Sequence, residues 1–283
     1  MQSRSLAREE KYAVIRAYFR GAQCFNSVKK TLFLLAVPIL ILNGFFVARA
    51  SFHPELARVF ARAEMPLVSA LFVLVFALPS FVALVRWLGA DKAIVVLLAL
   101  GAFAFCTEML AVKTGFPYGK FAYGPKIGWK IGGVPWTVPF AWTPLLLAAM
   151  CLARRWTNAL TIEKYARIAA CSLILVAIDM VLDPGAVSQK FWRYARPGLF
   201  YGVPLSNFFG WILSGAIGAL LFDFLTRGQR TLPPTDLLGS AFLILVFWTS
   251  VCAFSALWIP TFIGAVLLGV ISGYFFQKPK VFL

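Results

Sequence analysis

Eight apolar stretches, each about 20 residues long, run along this chain near 31–49, 66–88, 92–112, 135–153, 165–183, 205–225, 237–257 and 259–277. At a rise of about 1.5 Å per residue, a helix of that length crosses the roughly 30 Å hydrocarbon core of a bilayer. Inside that layer every backbone N–H and C=O must find a partner within the protein, so only helices and closed barrels can span it. A barrel strand needs only about 9–11 residues, and these runs are twice as long. The expected fold class is therefore an all-α polytopic membrane protein, with about eight transmembrane helices in one bundle. Composition agrees: 61% of the residues are hydrophobic, 13% are charged, and mean hydropathy is +0.82. Residues 31–283 read as a single transmembrane domain, whose last two spans form a tight hairpin turning at Trp258 to Pro260.

The net charge of +16 raises the question of nucleic acid. A nucleic-acid surface gathers its cations on one face, whereas the 27 Lys and Arg here are scattered over short connections between apolar runs. That pattern sets membrane orientation and touches anionic lipid, so the bilayer is the expected partner and nucleic acid is not. Residues 1–30, MQSRSLAREEKYAVIRAYFRGAQCFNSVKK, read as a basic cytoplasmic segment able to form an amphipathic surface helix. They fit a signal peptide poorly, having too long a basic region and no small-residue cleavage site after an apolar core. With that segment inside, most of the 27 basic residues fall on the cytoplasmic side. Both termini are then expected in the cytoplasm, in a multi-pass protein of the cell (inner, cytoplasmic) membrane.

Several chemistries need residues that are scarce here. The five cysteines lack C-x-x-C spacing and four lie inside apolar runs, so they read as free, buried side chains. One histidine, His53, cannot supply the several imidazoles of a membrane iron oxygenase. Neither a G-x-G-x-x-G nor a G-x-x-x-x-G-K-[ST] motif is present for a dinucleotide or nucleotide. The expectation is no metal and no cofactor, leaving side chains and water to do the chemistry.

Alternation of spans brings four segments to one membrane face, whichever way the protein is oriented. They are the end of span 3 (CTEMLAVKTGFPYGKFAYG), the start of span 4 (GGVPWTVPFAWT), the end of span 5 (VAIDMVLDPG) and the start of span 6 (YGVPLSNFFGW). Asp179 and Asp183 lie four residues apart, on one helical face and about 6 Å apart in depth. Glu108 sits at a comparable level and Asn207 heads span 6, so three carboxyls and an amide converge beneath one interface. Tyr118, Tyr123, Trp136, Trp142, Trp192, Tyr201 and Trp211 surround them. Plainer readings stand beside this one. Asp183 before Pro184-Gly185 also reads as a helix stop at the interface, the aromatics as an interfacial belt, and Asp179 and Glu108 as hydrogen bonds between helices. An ionisable group inside a span is nonetheless a functional candidate by default. Apolar surroundings favour the neutral form of a carboxyl, which makes a proton donor in a pocket of π faces. Protonating an alkene there gives a carbocation that aromatic rings stabilise, and a second carboxylate or Asn207 can hold the water that captures it.

The ordered motifs E-x5-TGFPYGKFAYG, GVPWTVPFAW, AIDMVLDPGAVSQKFW and YGVPLSNFFGW resemble the membrane carotenoid hydratase family of carotenoid biosynthesis proteins. The resemblance covers residues 90–225 by motif and the flanking spans by topology. It implies addition of water across the terminal C1–C2 double bond of an acyclic ψ-end, giving a tertiary alcohol. The substrate implied is a long acyclic or monocyclic carotenoid, and the partners are other membrane enzymes of the carotenoid pathway. A hydroxyl taken from water requires no oxygen-activating metal, in keeping with the lone histidine. From the chemistry, Asp179 or Glu108 is assigned as general acid, while Asp183 with Asn207 positions water. Rival readings are a non-catalytic membrane scaffold or carotenoid-binding subunit, and a small-molecule transporter. A transporter would be expected to show an inverted repeat and a midplane site. A membrane prenyltransferase would need Mg²⁺-binding aspartate-rich motifs, which the chain lacks.

Overall fold

The computed structural model describes residues 31–50, 53, 55, 58, 65–158 and 163–276. The basic segment 1–30, together with Lys278 and Lys280, lies outside the described residues. The chain divides into two compact units, Met1–Ile39 and Leu40–Leu283, and the packing described below is that of the second.

Eight long helices occupy the described residues. They are α1 (Thr31–Arg49), α2 (Met65–Leu88), α3 (Ala90–Thr114), α4 (Val138–Thr157), α5 (Glu163–Ser188), α6 (Leu205–Leu225), α7 (Gly239–Phe254) and α8 (Trp258–Phe275). All but α4 are long and apolar enough to cross a membrane, counting α7 with the 3₁₀ turn Thr235–Leu238 that leads into it. The exception has a physical reason. Two arginines in its last turn and the internal Pro144 dilute the apolarity of α4, and it is packed by α2, α3, α5, α6 and α7. Every residue from Leu145 to Ala153 is buried. A helix enclosed by other helices owes less to lipid than to its neighbours.

The outer helices show the reverse pattern. Along α2, Leu67, Leu71, Val75, Leu78, Val82 and Val85 recur every three or four residues and are all exposed. On a soluble protein such a stripe would be an aggregation liability; against acyl chains it is the lipid-facing surface. The chain is an all-α polytopic membrane protein.

Two turns fall elsewhere than the sequence reading expects. The Asp183-Pro184-Gly185 run does not end its helix: α5 passes through Pro184 and stops at Ser188. A proline inside a membrane helix removes one donor, and neighbouring groups make up for it. Pro184 withholds the N–H that Met180 O would accept, and one residue along Cys252 Sγ, from α7, reaches Val181 O at 3.3 Å. Lys190, in the left-handed region at φ 62°, then ends the run, and Phe191 N closes back onto Ala186 O at 2.9 Å. The last hairpin turns at Ser255–Leu257 rather than at Trp258 to Pro260, which fall in the first turn of α8. Proline is tolerated there because first-turn amides have no partner within the helix.

The connections after α3 and α5 are built rather than slack. Phe121–Tyr123 (β1) pairs antiparallel with Trp192–Tyr194 (β4), in the register Phe121↔Tyr194, Ala122↔Arg193 and Tyr123↔Trp192. A second small ribbon pairs Lys130–Ile131 (β2) with Val134–Pro135 (β3). Gly115 ends α3 in the left-handed conformation at φ 86°, its amide donating to Ala111 O at 2.7 Å. That conformation, open to glycine without a Cβ clash, turns the chain back over the helix ends.

Candidate active site

Side chains alternate across a strand, so the β1–β4 ribbon sends Phe121, Tyr123, Trp192 and Tyr194 to one face, with Ala122 and Arg193 on the other. Burial follows that alternation, and both outward residues are exposed. The inward rings meet in cross-strand pairs: Phe121 with Tyr194 at 5.7 Å and Tyr123 with Trp192 at 5.9 Å between centroids. The ribbon thus forms an aromatic ceiling carrying two phenols. It is tied down by Gly124 N to Phe191 O (2.7 Å), Ala195 N to Lys120 O (2.8 Å) and Lys126 Nζ to Gln189 O (3.1 Å).

Beneath that ceiling the carboxyls meet. Asp179 and Asp183 are both buried on α5, one turn apart. Asn207, two residues into α6 and also buried, donates from Nδ2 to Asp179 Oδ2 at 2.6 Å and to Asp183 Oδ2 at 2.8 Å. One amide nitrogen therefore bridges two carboxyl groups. Asp183 Oδ2 also accepts from the Tyr194 hydroxyl at 2.5 Å. Across the site, on α3, Glu108 accepts from the Tyr123 hydroxyl at 2.9 Å. Each phenol is held well above its ordinary pKa, Tyr123 by burial and then by Glu108, Tyr194 by burial and then by Asp183. Both phenols consequently stay O–H donors over the whole physiological range.

These groups open onto a cavity of about 160 Å³. Its polar wall is Glu108, Asp179, Asp183 and Asn207; its aromatic wall includes Tyr118, Tyr123, Trp142, Trp192, Tyr194 and Trp211, and Phe76 and Ile244 are among the residues that line it elsewhere. Two buried polar atoms of lining residues have no hydrogen-bond partner among the described residues: Asp179 Oδ1 and Trp142 Nε1. Such atoms are costly inside a protein unless something in the site uses them. Close approach of α6 shapes one side. A Cβ on Gly210 would collide with the Tyr118 ring, so glycine there lets Tyr118 lie against the helix and pack at 6.2 Å from Trp211.

Of the residues expected from sequence, Glu108, Asp179, Asp183, Asn207, Tyr118, Tyr123, Trp142 and Trp211 come together around this cavity. Trp136 and Tyr201 do not line it. Trp136 packs edge-on against Phe140, and Tyr201 sits in the loop before α6, its hydroxyl accepting from Ile259 N at 3.4 Å. His53 pairs with Glu55 at 3.3 Å and is not among the lining residues. Tyr194 is the polar contact the sequence reading omitted. Its signal was the alternation F-A-Y and W-R-Y in two connections assigned to the same face, a period-two pattern characteristic of paired strands. Asp183 also lies deeper than a helix stop would put it, since α5 continues for five residues beyond it. Among the described residues no group of three or more His, Cys, Asp or Glu side chains is disposed to hold a metal ion.

Comparison with known proteins follows the same segments. A family model described as "Carotenoid biosynthesis protein" matches residues 65–271. The chain is 32% identical over 237 residues to bisanhydrobacterioruberin hydratase of Haloarcula japonica, an alignment covering 81% of this chain and 70% of that protein. No solved structure matches.

Proposed function

This chain belongs to the carotenoid biosynthesis protein family, and we propose that it hydrates the terminal C1–C2 double bond of an acyclic carotenoid ψ-end. The observation that carries the reading is the Asn207 amide bridging Asp179 and Asp183 on the wall of an aromatic cavity, with no hydrogen bond to Asp179 Oδ1 among the described residues. A hydratase needs a proton donor, a place for a cation and a held water, and this arrangement offers all three.

In the proposed reaction Asp179 is the general acid. Its proton passes to C2 of the alkene, the π bond breaks, and a tertiary cation forms at C1. The ring faces of Trp142, Trp192 and Trp211 stabilise that cation, at about 1–2 kcal/mol per well-placed ring. Water held by Asp183 and Asn207 then adds through oxygen to C1, and its surplus proton passes to the carboxyl pair, restoring the acid. One water is consumed and one tertiary alcohol formed, with no net change in the protein. Trp142 Nε1–H is a donor for the oxygen of the incoming water or of the product alcohol. Glu108, bonded to the ceiling through Tyr123, faces the same cavity and is the second candidate acid. A rod-shaped carotenoid of about bilayer length presents its end group near an interface, in keeping with a site at one end of the helices.

Expression in a lycopene-producing host tests this. The expected product gains the mass of one water at each hydrated end, and its hydroxyl is labelled from oxygen-18 water rather than from oxygen-18 gas. Label from the gas would overturn hydration. Full activity in both Asp179→Asn and Glu108→Gln would overturn the acid assignment.

A further inference from the structure

At the other end of the helices, where α4 and α6 end and α5 begins, a second cavity of about 920 Å³ opens. Five cations line it, Arg154, Lys164, Arg167, Arg227 and Arg230, against two carboxylates, Glu163 and Asp223. Both carboxylates are already committed. Asp223 pairs with Arg154 at 2.8 Å and with Arg167 at 2.7 Å, and Glu163 pairs with Arg167 at 2.6 Å. Lys164, Arg227 and Arg230 are exposed and form no ion pair among the described residues. The Arg227 guanidinium, just past the end of α6, lies over the Phe224 ring at 3.9 Å, which holds it at the border between polar rim and apolar wall.

That wall separates the possible ligands. Ile217, Leu220 and Phe224 line the same cavity from α6 and are 43%, 43% and 56% exposed. They belong to a helix apolar enough to cross the membrane, so they face acyl chains. A soluble anion would engage the cations and leave the wall unused; a phospholipid engages both, and basic pockets between membrane helices are recognised headgroup sites. We propose that this cavity binds one anionic phospholipid. Its phosphodiester is held by Lys164, Arg227 and Arg230, and an acyl chain lies along Ile217, Leu220 and Phe224. The Arg154–Asp223–Arg167 cluster forms the fixed floor. The proposal is independent of the hydratase reading, because none of these residues lines the carboxyl cavity.

The test uses the purified full chain in neutral detergent, with dioleoylphosphatidylglycerol, dioleoylphosphatidylcholine and inorganic phosphate as probes. Native mass spectrometry is expected to find a single retained phosphatidylglycerol, which also raises the melting temperature; the other two probes do neither. The double variant Lys164→Ala/Arg230→Ala is expected to bind phosphatidylglycerol about thirtyfold more weakly. Lys164→Gln/Arg230→Gln, which keeps two methylenes of each stem and a polar tip, should weaken it equally and guards against a packing effect. Lys113→Ala/Lys120→Ala removes the same charge at the opposite end and should leave binding unchanged. Equal binding of phosphate or phosphatidylcholine would overturn the proposal. So would unaltered binding by the Lys164/Arg230 variants, or equal weakening by the Lys113/Lys120 control.

Discussion

The two ends of the helices handle their carboxyl groups in opposite ways. At one end Asp223 is clamped between two guanidiniums, Arg154 and Arg167, and both its oxygens are taken by cations. At the other end Asp179, Asp183 and Glu108 are bonded to neutral donors, the Asn207 amide and the Tyr123 and Tyr194 phenols, with the Trp192 indole also at Asp183. A carboxylate between two arginines is fixed in charge and geometry, which suits joining three helices. A carboxyl bonded to neutral donors inside an aromatic wall keeps the freedom to give and take a proton. The same residue type thus ties the helices together at one end and, in the proposed reaction, serves as the acid at the other, and the partner decides which.

Substitutions that respect this contrast should produce effects of different kinds. The largest is expected for Asp179→Asn. The side chain keeps its shape and an oxygen to accept from Asn207, but it loses the proton, and general acid catalysis of this kind contributes about 10²- to 10⁴-fold. Product formation per unit of protein, measured by mass spectrometry in the lycopene-producing host, should fall by that much while the melting temperature holds. Asp223→Ala should do the converse. It leaves Arg154 without its counter-charge and Arg167 with Glu163 alone, a loss of about 3 kcal/mol, at the lower end for such pairs because the side chains retain 14% exposure. Melting temperature and yield should drop, with turnover per folded molecule unchanged. If Asp223→Ala abolished turnover in folded protein, the division of labour between the two ends would fail.

Much of this contrast is legible in the sequence, and the illegible part has one cause. All eight long helices lie within a few residues of the expected apolar runs, because a bilayer imposes one length on every span. Alternation alone brings Glu108, Asp179, Asp183 and Asn207 to one membrane face; their meeting there depends on how α3, α5 and α6 pack. What alternation does not supply is pairing between distant segments. Phe121 and Tyr194 are adjacent in the ribbon yet over seventy residues apart in the chain, and three-residue strands carry almost no local signal. The continuation of α5 through Pro184 escapes for a similar reason. Locally Asp-Pro-Gly reads as a stop, and the packing of Trp248 and Cys252 from α7 against this turn is invisible in the local sequence. At the other end Asp223, inside the run 205–225, goes unremarked in the sequence, because its clamp with Arg154 and Arg167 exists only once three helices pack.

Between the extremes stands the amide. Asn207→Leu keeps the branched outline of asparagine, with bulkier tips, but withdraws the one donor shared by Asp179 and Asp183. Leaving buried acceptors unsatisfied costs about 1–3 kcal/mol, which corresponds to a tenfold to hundredfold loss if the bridge sets the water's position. The comparison sharpens if this variant loses turnover without losing affinity for substrate, measured by carotenoid retention on the purified protein. Equal loss of both would make Asn207 a packing residue.

The smallest effects test the ceiling, and there the contrast lies within three residues. Tyr194→Phe removes the hydroxyl that donates to Asp183 and keeps the ring against Phe121. One hydrogen bond to an acidic group is worth about 1.5–3 kcal/mol when buried, so turnover should fall about tenfold or somewhat more. Tyr123→Phe, removing the donor to Glu108, should have a comparable or smaller effect, according to whether Glu108 or Asp179 is the acid. Arg193→Ala, between Trp192 and Tyr194 but on the outward face, should change turnover by no more than measurement error despite removing a full charge. Alternation along a strand is what separates these outcomes. If Arg193→Ala cost as much as Tyr194→Phe, the ribbon would be acting through its charge or its mobility. The two phenols would then lose their place as donors to the carboxyls.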